Sequence, residues 1–390
     1  MLESLSEILD KLCVLPPDGR GALEVLSAYA TERDSLRTDA LGSVIWTRAG
    51  SAAVPDHPAP AGHPSKGGEL THLMLEAHLD TIAMVVTAVL PEGFLRVQPV
   101  GGVDRRPLPG TAVTVWGREK IPGVIASTPP HLKEKDAPEV PEWADILIDV
   151  GSVCRGEHCS SAEVTDNPPP ADTISPGDLI SFDAPPAALL NGTVTAAGLD
   201  NRAGCAAVLL ALLLTKDCPR PLTAVFAVRE ETNGAGAMTA AYAIYAALER
   251  GSEAFDPINV SARSVGGGIP AIAVDVSYAQ APDVTAEEGG KLGGGVMLGI
   301  SPVLDGAVTE RLRELARENN IPLQAEAMGS RTGTDADKIQ TVRTGIPTGL
   351  LSIPLRNMHT ACEAVSLTDI ENAAKLLAAA IASGELRVEI

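Results

Sequence analysis

Residues 73–80 have the sequence Leu-Met-Leu-Glu-Ala-His-Leu-Asp, a largely apolar run that ends in ionisable side chains. Such a run predicts a buried β-strand that carries His78 and Asp80 at its carboxyl end. Similar apolar runs recur further along the chain, at residues 223–228, 271–274 and 348–353. Because helical patterns separate these runs, the sequence predicts an α/β fold whose mostly parallel sheet is covered by helices on both faces.

The predicted helices complete this alternation of strands and helices. Helical patterns occupy residues 2–13, 22–33, 202–215, 237–248, 309–318 and 368–383. The last pattern begins with Thr368-Asp-Ile-Glu371, which has the spacing of a capping box at the start of a helix. We therefore expect Thr368 to cap this helix.

Residues 87–187 interrupt the alternation. Short apolar runs separated by Gly and Pro turns, with little helical periodicity, predict a small all-β domain inserted into the chain. At ~150 residues per domain, a chain of 390 residues accommodates two or three domains. We predict two: an α/β domain formed by residues 1–86 and 188–390, and the β domain inserted between them.

The composition excludes several classes of protein. A hydrophobic share of 45% is normal for a packed chain and excludes global disorder. The chain has 30 Lys and Arg against 50 Asp and Glu, and its net charge of −20 repels phosphate backbones and anionic lipids. We therefore expect neither nucleic acid nor a membrane as a partner. No apolar run approaches the ~20 residues of a membrane span, and the N-terminus lacks a signal-peptide pattern, so we expect a cytoplasmic location.

Cysteines and loop histidines offer little chemistry. Six cysteines in 390 residues are too few for a disulfide scaffold. Cys154, His158 and Cys159 form a cluster without a matching second pair, for which reduced thiols in a loop are the simpler interpretation. His57 and His63 fall in the Pro-, Gly- and Ala-rich stretch 51–69, which predicts a surface loop.

Polar side chains follow the predicted strands at their carboxyl ends, where functional groups gather in sheets of this kind. They are His78, Asp80, Asp200, Glu230, Glu231, Asp275, Arg356 and His359. Two imidazoles and several carboxylates, without a thiolate, form a donor set that suits zinc, cobalt or manganese. Singly, each residue has a structural interpretation, such as Asp200 capping the helix that follows it. Together they predict a metal site.

The spacing of these residues indicates separate roles. His78 and Asp80 are two residues apart and share a strand face, so Asp80 can hold the imidazole or accept its second N–H. Glu230 and Glu231 are neighbours that point in opposite directions on a strand, so one can bind a metal while the other acts as a base. A glycosidase pair is disfavoured, because its carboxyls would have to stand ~5–9 Å apart across the substrate.

The order of motifs along the chain resembles a known family. The motifs are HLDTIAMVV (78–86), AAGLDNRAG (196–204), FAVREETNGAGA (226–237), IAVDVS (272–277), GTDAD (333–337) and GIPTGLLSIPLRNMH (345–359). They are similar to those of the tetrahedral or glutamyl aminopeptidases, dinuclear metallopeptidases of the zinc exopeptidase group. Segments 93–104, 121–132, 145–152 and 175–183 likewise resemble that family's small β domain. The resemblance runs from about residue 70 to the C-terminus and implies a metallo-aminopeptidase.

The resemblance also implies a role for each site residue. His78 and Asp275 would be ligands of one metal ion, Glu231 and His359 of the other, and Asp200 would bridge the two ions. Glu230 would be the general base, a role commonly worth ~10²–10⁴ in rate, and Asp80 would support the catalytic site from behind the ligands. The implied cofactors are two divalent ions, with zinc favoured over cobalt or manganese.

Substrate contacts and assembly are further expectations. The residues expected to bind the peptide substrate are Arg331, Thr334, Asp335 and Arg356. Arg331 or Arg356 would favour acidic substrate side chains, although a structural salt bridge is an open alternative for either. The resemblance implies a homo-oligomer, with dimers formed through the β domain that assemble into a tetrahedral particle, a dodecamer.

Three departures from the family pattern accompany these matches. Asn201 stands where the family often has Asp, the loop after Glu231 reads TNGAGA, and residues 251–268 lengthen the stretch before Asp275. We expect this added segment to narrow substrate access. Two alternative functions stay open: another dinuclear metallohydrolase acting on small amides, such as a deacylase or dipeptidase, and a non-catalytic assembly protein of the same fold.

Overall fold

A computed structural model describes residues 2–50, 72–90, 93–132, 138–151, 173–250, 269–282, 284–383 and 386. The segments 51–69 and 251–268 lie outside the described residues, as do Cys154, His158 and Cys159. The predictions made for them therefore stay predictions.

The described residues form helices and strands in alternation. The helices are α1 (Leu2–Cys13), α2 (Ala22–Ser27), α3 (Leu199–Leu214), α4 (Ala235–Arg250), α5 (Gly306–Glu318), α6 (Ala336–Ile339) and α7 (Leu367–Ala382). Strands β1 to β9 are Asp34–Thr38, Val44–Arg48, Leu73–His78, Ala83–Val89, Phe94–Val100, Ala112–Trp116, Lys120–Ile125, Leu147–Asp149 and Leu179–Phe182. Strands β10 to β17 are Ala187–Ala188, Thr193–Ala196, Leu222–Ala227, Ala271–Tyr278, Val296–Ile300, Leu323–Ala327, Thr348–Arg356 and Glu363–Ser366. Among these helices, none combines the length and apolarity needed to cross a membrane.

The large sheet is mixed rather than mostly parallel. Its strand order is β1-β2-β12-β3-β13-β16-β17-β11-β10, and β14 pairs with both β16 and β15 beside this path. The central strands β12, β3, β13 and β16 are parallel, whereas the flanking pairs β1–β2, β2–β12, β16–β17 and β17–β11 are antiparallel. The prediction of a mostly parallel sheet is therefore wrong for the sheet as a whole. The turn between β1 and β2 is short, and strands joined in this way pair antiparallel.

Helices pack against both faces of the sheet because its strands are apolar on both faces. In β3, Leu73, Leu75 and Ala77 belong to a core that includes residues of α1, α3 and α7. Met74 points to the other core, which includes residues of α4 and α6. Since side chains alternate along a strand, Glu76 and His78 lie on the same face as Met74.

A closed six-stranded barrel, with the order β4-β5-β8-β7-β6-β9, stands apart from the large sheet. Its own core is mostly aliphatic and includes Met84, Leu95, Val115 and Ile148, with Phe182 as an aromatic member. The small all-β unit expected in this part of the chain is therefore present. Its first strand begins at Ala83, before the predicted boundary at residue 87. The division into two domains with the stated boundaries stays a prediction.

The start of α7 differs from its prediction. Ser366 is the N-cap and its side chain makes no capping hydrogen bond, so the predicted capping box is wrong. Asp369 instead faces inward and accepts the N–H groups of Gly293 (2.7 Å) and Gly295 (2.8 Å). This buried carboxylate joins the first turn of the helix to the loop that contains Gly293 and Gly295.

Candidate metal centre

The register of two central strands sets the first group of ionisable side chains. β3 and β13 are parallel neighbours in which Ala273 lies opposite Glu76. Two residues further along each strand, the same face carries Asp275 and His78. Asp275 Oδ1 lies 3.5 Å from His78 Nε2. Both residues are buried.

Asp200 brings a carboxylate from a different element to the same point. It lies at the start of α3, where its backbone (φ −78°, ψ 103°) is not helical. Its Oδ1 is 3.3 Å from His78 Nε2, and its Oδ2 is 3.4 Å from His359 Nε2. The N-cap of α3 is Gly198, so Asp200 does not serve as that cap. Asp200 instead faces two imidazoles at once.

A second group forms around Glu231 and His359, both of which lie in loops. Glu231 follows β12, and its Oε2 is 3.7 Å from His359 Nε2. Because β12 ends at Ala227, the predicted placement of Glu230 and Glu231 on a strand is wrong. Within each group the donor atoms lie within 4.8 Å of one another: His78, Asp200 and Asp275 in the first group, and Asp200, Glu231 and His359 in the second.

The donor atoms of both groups fit divalent metal ions. Imidazole nitrogens and carboxylate oxygens suit zinc, cobalt and manganese. Glu231 Oε1 is buried and has no hydrogen-bond partner, as expected of an oxygen whose partner is a cation. Burial and the neighbouring charge of Asp200 raise the pKa of Glu231 to about 10. A bound cation would hold this carboxyl group in its ionised form.

The shared carboxylate and the imidazoles stabilise each other's charged forms. Burial opposes ionisation of Asp200, but hydrogen bonds from His359 and His78 lower its pKa to about 2. Burial also opposes protonation of His78, but the charge of Asp275 and the hydrogen bond to Asp200 raise its pKa well above the ordinary value. Because a metal-bound imidazole must be unprotonated at its ligating nitrogen, metal binding would release protons from this site.

Glu230 stands beside the first group. Its Oε2 lies 3.9 Å from His78 Nε2, and its side chain is 18% exposed. Burial raises the pKa of Glu230 to about 8, and the charges of Asp275, Asp335 and Asp200 add to the shift, whereas His78 opposes it. A carboxyl group with a pKa near neutrality at the accessible edge of a site is suited to proton exchange with water.

Asp80 positions the loop that carries Glu230 and Glu231. Its carboxylate oxygens accept the backbone N–H groups of Glu230 (3.1 Å) and Glu231 (3.2 Å). The expected contact with His78 is made through the main chain: the Asp80 carbonyl lies 3.0 Å from His78 Nδ1, and its carboxylate is 3.8 Å away. The predicted shared strand face is wrong, because β3 ends at His78 and Asp80 lies beyond it.

Comparisons with known proteins show the family of this chain. The sequence matches the M42 glutamyl aminopeptidase family over residues 63–269 and 268–376. The chain belongs to the M42 family. A lysyl aminopeptidase from Pyrococcus furiosus is 29% identical over 346 residues, which cover 88% of this chain and 85% of that protein. The family expected from the sequence is confirmed, and so is the expectation of a peptide hydrolase.

Solved structures share the fold over nearly the whole chain. An aminopeptidase from the archaeon Desulfurococcus kamchatkensis superposes with a TM-score of 0.78 at 28% identity, covering 98% of this chain and 95% of that one. The TET1 peptidase of Pyrococcus horikoshii superposes with a TM-score of 0.72 at 24% identity, covering 97% of this chain and 99% of that one. That peptidase can assemble into a tetrahedron or a large octahedral shell. The present M42 chain thus belongs to an aminopeptidase family and shares the fold of solved aminopeptidases.

Two fully buried residues that the sequence did not single out as site residues hold Asp200 of this M42 chain in place. Glu363, at the start of β17, accepts the Asp200 N–H through Oε2 at 3.0 Å. Asn201 donates to the Val274 carbonyl at 2.7 Å and accepts the Gly204 N–H at 3.0 Å. An ionised Asp at position 201 could not donate to Val274, so Asn has a local structural reason here. The signal for Glu363 in the sequence is an acidic residue at the start of a short apolar strand.

Two glycines that follow β5 bring the barrel against the second group. A Cβ on Gly101 would lie 2.9 Å from Glu231 Oε2, and a Cβ on Gly102 would lie 2.8 Å from His359 Nδ1. Such approaches are shorter than van der Waals contact, so a larger residue at either position would displace the side chain of Glu231 or His359. The nearby N–H of Asp104 donates to the His359 carbonyl at 3.2 Å. The barrel therefore forms one wall of the site.

Asp335, expected to bind substrate, lies behind the first group. It is 2% exposed, and neither carboxylate oxygen has a hydrogen-bond partner. Burial raises the pKa of Asp335 to about 7, while the charge of His78 opposes the shift. The buried carboxyl of Glu76 lies close by, and the charge of Asp335 raises the pKa of Glu76 further. Glu76 on β3 and Asp335 at the start of α6 are therefore two buried acids next to the candidate metal centre.

The other residues expected to bind substrate are not members of either ligand group. Thr334 Oγ1 lies 2.9 Å from Thr332 Oγ1, a contact within the turn before α6. Arg356 is exposed, and its Nε donates to the Gln280 carbonyl at 2.8 Å. Arg331 is exposed on the loop after β15. Their contact with substrate stays a prediction.

Proposed function

We propose that this M42 chain removes N-terminal residues from peptides by hydrolysis that depends on two divalent metal ions, with Glu230 as the general base. The observation that carries this proposal is the position of Asp200, whose two oxygens face the imidazoles of two separate ligand groups. A carboxylate shared between two ligand groups is well placed to bind both ions of a dinuclear centre.

The proposed ligands follow from the two groups. His78, Asp200 and Asp275 would hold one ion, and Asp200, Glu231 and His359 would hold the other. Zinc is the proposed metal because the donors are imidazoles and carboxylates, although cobalt and manganese accept the same set. When bound, such ions supply a Lewis acid for the peptide carbonyl and lower the pKa of water.

The side chains of the protein perform the proton transfers in this proposal. Glu230 accepts a proton from the attacking water and later delivers it to the nitrogen of the leaving peptide. Its carboxyl group must be ionised at the start, and nearby cations would lower its pKa from about 8. Asp80 keeps Glu230 and Glu231 in place through their backbone N–H groups.

The experiment that tests this proposal is the Glu230→Gln variant, assayed with aminoacyl-chromophore substrates after zinc loading. We expect normal metal content and a loss of ~10²–10⁴ in kcat, because only the base is removed. Glu326→Gln is the matched control, since burial also raises the pKa of Glu326, and it should retain activity. An active Glu230→Gln variant would refute the mechanism.

The choice of substrate separates the proposal from its alternatives. An aminopeptidase requires a free α-amine, so N-acetylated peptides should be inert, whereas a deacylase would accept them. A chain that binds no metal and hydrolyses nothing would be an assembly protein. Peptides are thus the proposed substrates, and Arg331, Thr334, Asp335 and Arg356 remain proposed substrate-binding residues.

We also propose that the chain forms a homo-oligomer. The support is its fold, which it shares with the TET1 peptidase, a protein that assembles into large shells. Light scattering coupled to gel filtration measures the mass directly. A dodecamer built from dimers is the expected form, and a monomer would contradict it.

A further inference from the structure

Glu363 is a buried acid that no step of the proposed reaction uses. It begins β17, four residues after His359, and it is 0% exposed. A buried carboxylate is costly unless hydrogen bonds or charges compensate it, so its surroundings indicate what it does. The inference drawn from them rests on the proposed two-metal function.

The carboxylate of Glu363 joins two distant parts of the chain. Its Oε2 accepts the N–H of Asp200 at 3.0 Å, and its Oε1 accepts the N–H of His359 at 2.9 Å. His359 has a left-handed backbone with φ 63°, a conformation that residues other than glycine rarely adopt. Asp200 is also outside helical geometry at the start of α3. Both residues therefore depend on contacts such as these to keep their backbone positions.

We infer that Glu363 is a positioning residue that sets the separation between Asp200 and His359, and thereby the affinity for the second metal ion. Both of its oxygens act on members of the second ligand group. It reaches the first group only through the shared Asp200, because His78 and Asp275 are held on strands by their pairing with β12 and β16. Loss of Glu363 should therefore weaken one metal site far more than the other.

The inference requires a carboxylate and not merely a polar side chain of the same size. Two N–H donors need two acceptor oxygens, and a glutamine offers one oxygen and an NH₂ group that would face a donor. An aspartate keeps both oxygens but is shorter by one methylene group. The variants Glu363→Gln and Glu363→Asp therefore separate the two requirements, chemistry and reach.

The experiment is a calorimetric titration of metal-free protein with Zn²⁺. We expect wild-type protein to bind two ions per chain. Glu363→Gln should keep the tighter ion within ~threefold and lose ~10–100-fold in affinity for the weaker one, as for other groups that orient ligands. Glu363→Asp should give an intermediate loss of affinity, a partial rescue that a purely structural role would not produce.

Asp369→Asn is the matched control. Asp369 is equally buried and also accepts two backbone N–H groups, from Gly293 and Gly295, but it lies outside both ligand groups. The Asp369→Asn variant should have a lower melting temperature than the wild type and should bind both zinc ions with unchanged affinity. If Asp369→Asn weakens zinc binding as much as Glu363→Gln does, then the loss of any buried carboxylate weakens zinc binding. In that case the inference is wrong.

The outcomes also separate this inference from the proposed function. Wild-type protein that binds fewer than two ions contradicts the two-metal proposal itself. Wild-type protein that binds two ions, together with Glu363→Gln that binds both unchanged, overturns the inference alone. If Glu363→Gln does not fold, Glu363→Asp carries the test, and unchanged affinity in that variant would also overturn it.

Discussion

The two ligand groups are built from different parts of the fold. His78 and Asp275 stand on neighbouring parallel strands, and their side chains are 2% and 9% exposed. Glu231 and His359 stand in loops, and the side chain of His359 is 32% exposed. Each member of the first pair is held by a ladder to its other neighbour, since His78 pairs with Ala227 of β12 and Asp275 with Ser352 of β16. The second pair depends on individual contacts, made by Asp80, Glu363 and Gly102.

This difference indicates that the two halves of the proposed centre are not equally rigid. Loops with exposed backbone open locally at a lower free energy than central strands do. We therefore expect the second ion to bind more weakly and to exchange faster than the first. Variants that act on one half or on both halves test whether the two ions differ in this way.

The largest effect is expected for Asp200→Ala. This variant removes a ligand from both groups, so both metal ions should bind more weakly. Hydrolysis should fall by more than ~10³-fold, because water activation and carbonyl polarisation are lost together. Metal analysis by mass spectrometry should find both ions depleted. Asp305→Ala is the control, since Asp305 is an aspartate at the start of a helix outside the site. Full metal content in Asp200→Ala would contradict the shared ligand.

A smaller and one-sided effect is expected for Asp80→Ala. Without the carboxylate, the N–H groups of Glu230 and Glu231 lose their acceptor, so the loop that carries the base and one ligand is no longer held. We expect kcat to fall ~10–100-fold and the weaker metal ion to be lost preferentially in a zinc titration. Asp80→Asn should have a kcat and a weaker-ion affinity between those of the wild type and Asp80→Ala, because its side chain keeps one acceptor oxygen. Equal weakening of both ions would count against the comparison.

Gly102→Ala tests the second group from the barrel side. The new methyl group would meet His359 Nδ1 at 2.8 Å, so the imidazole has to move. We expect up to ~tenfold weaker binding of the second ion, measured by the same titration. Gly306→Ala adds a methyl group where no atom lies within 4 Å and should change nothing. An unchanged second affinity in Gly102→Ala would mean that the barrel does not restrain His359.

The smallest effect concerns pH and the metal-free protein. Burial raises the pKa of Glu230 from 4.5 to about 8 and that of Glu231 to about 10, so the folded state binds more protons than the unfolded state above pH 4.5. Stability is therefore lost as pH rises through this window. After chelation, we expect the melting temperature to fall by roughly a few degrees between pH 5 and 8. With zinc bound, we expect the melting temperature to rise with pH over the same range. A melting temperature that rises with pH in the metal-free protein would contradict the prediction.

Elements with strong local patterns were predictable from the sequence. The opening helix was predicted over 2–13 and spans Leu2–Cys13, because its apolar spacing is helical throughout. The helix predicted over 22–33 instead ends at Ser27, and Asp34–Thr38 forms an edge strand that pairs with β2. Pairing with a strand is a long-range gain that a local window does not contain.

The site residues also divide into those that the sequence predicts and those that it does not. His78 and Asp275 follow from apolar strands that end in ionisable residues, a pattern visible in the chain itself. Glu363 and Asn201 do not, because what they do depends on backbone groups that come close only after folding. The misplacement of Glu230 and Glu231 on a strand has the same origin, since the length of β12 is set by its partners β2 and β3.

From the amino-acid sequence we could predict the family, the alternation of strands and helices, and the donor types available for a metal, because motifs and apolar periodicity are local properties of the chain. The folded structure was needed to find the mixed direction of the sheet, the approach of the barrel to His359, and the contacts that hold Asp200 between two imidazoles. These depend on hydrogen bonds and close approaches between segments far apart in sequence, such as the bond between Glu363 and Asp200.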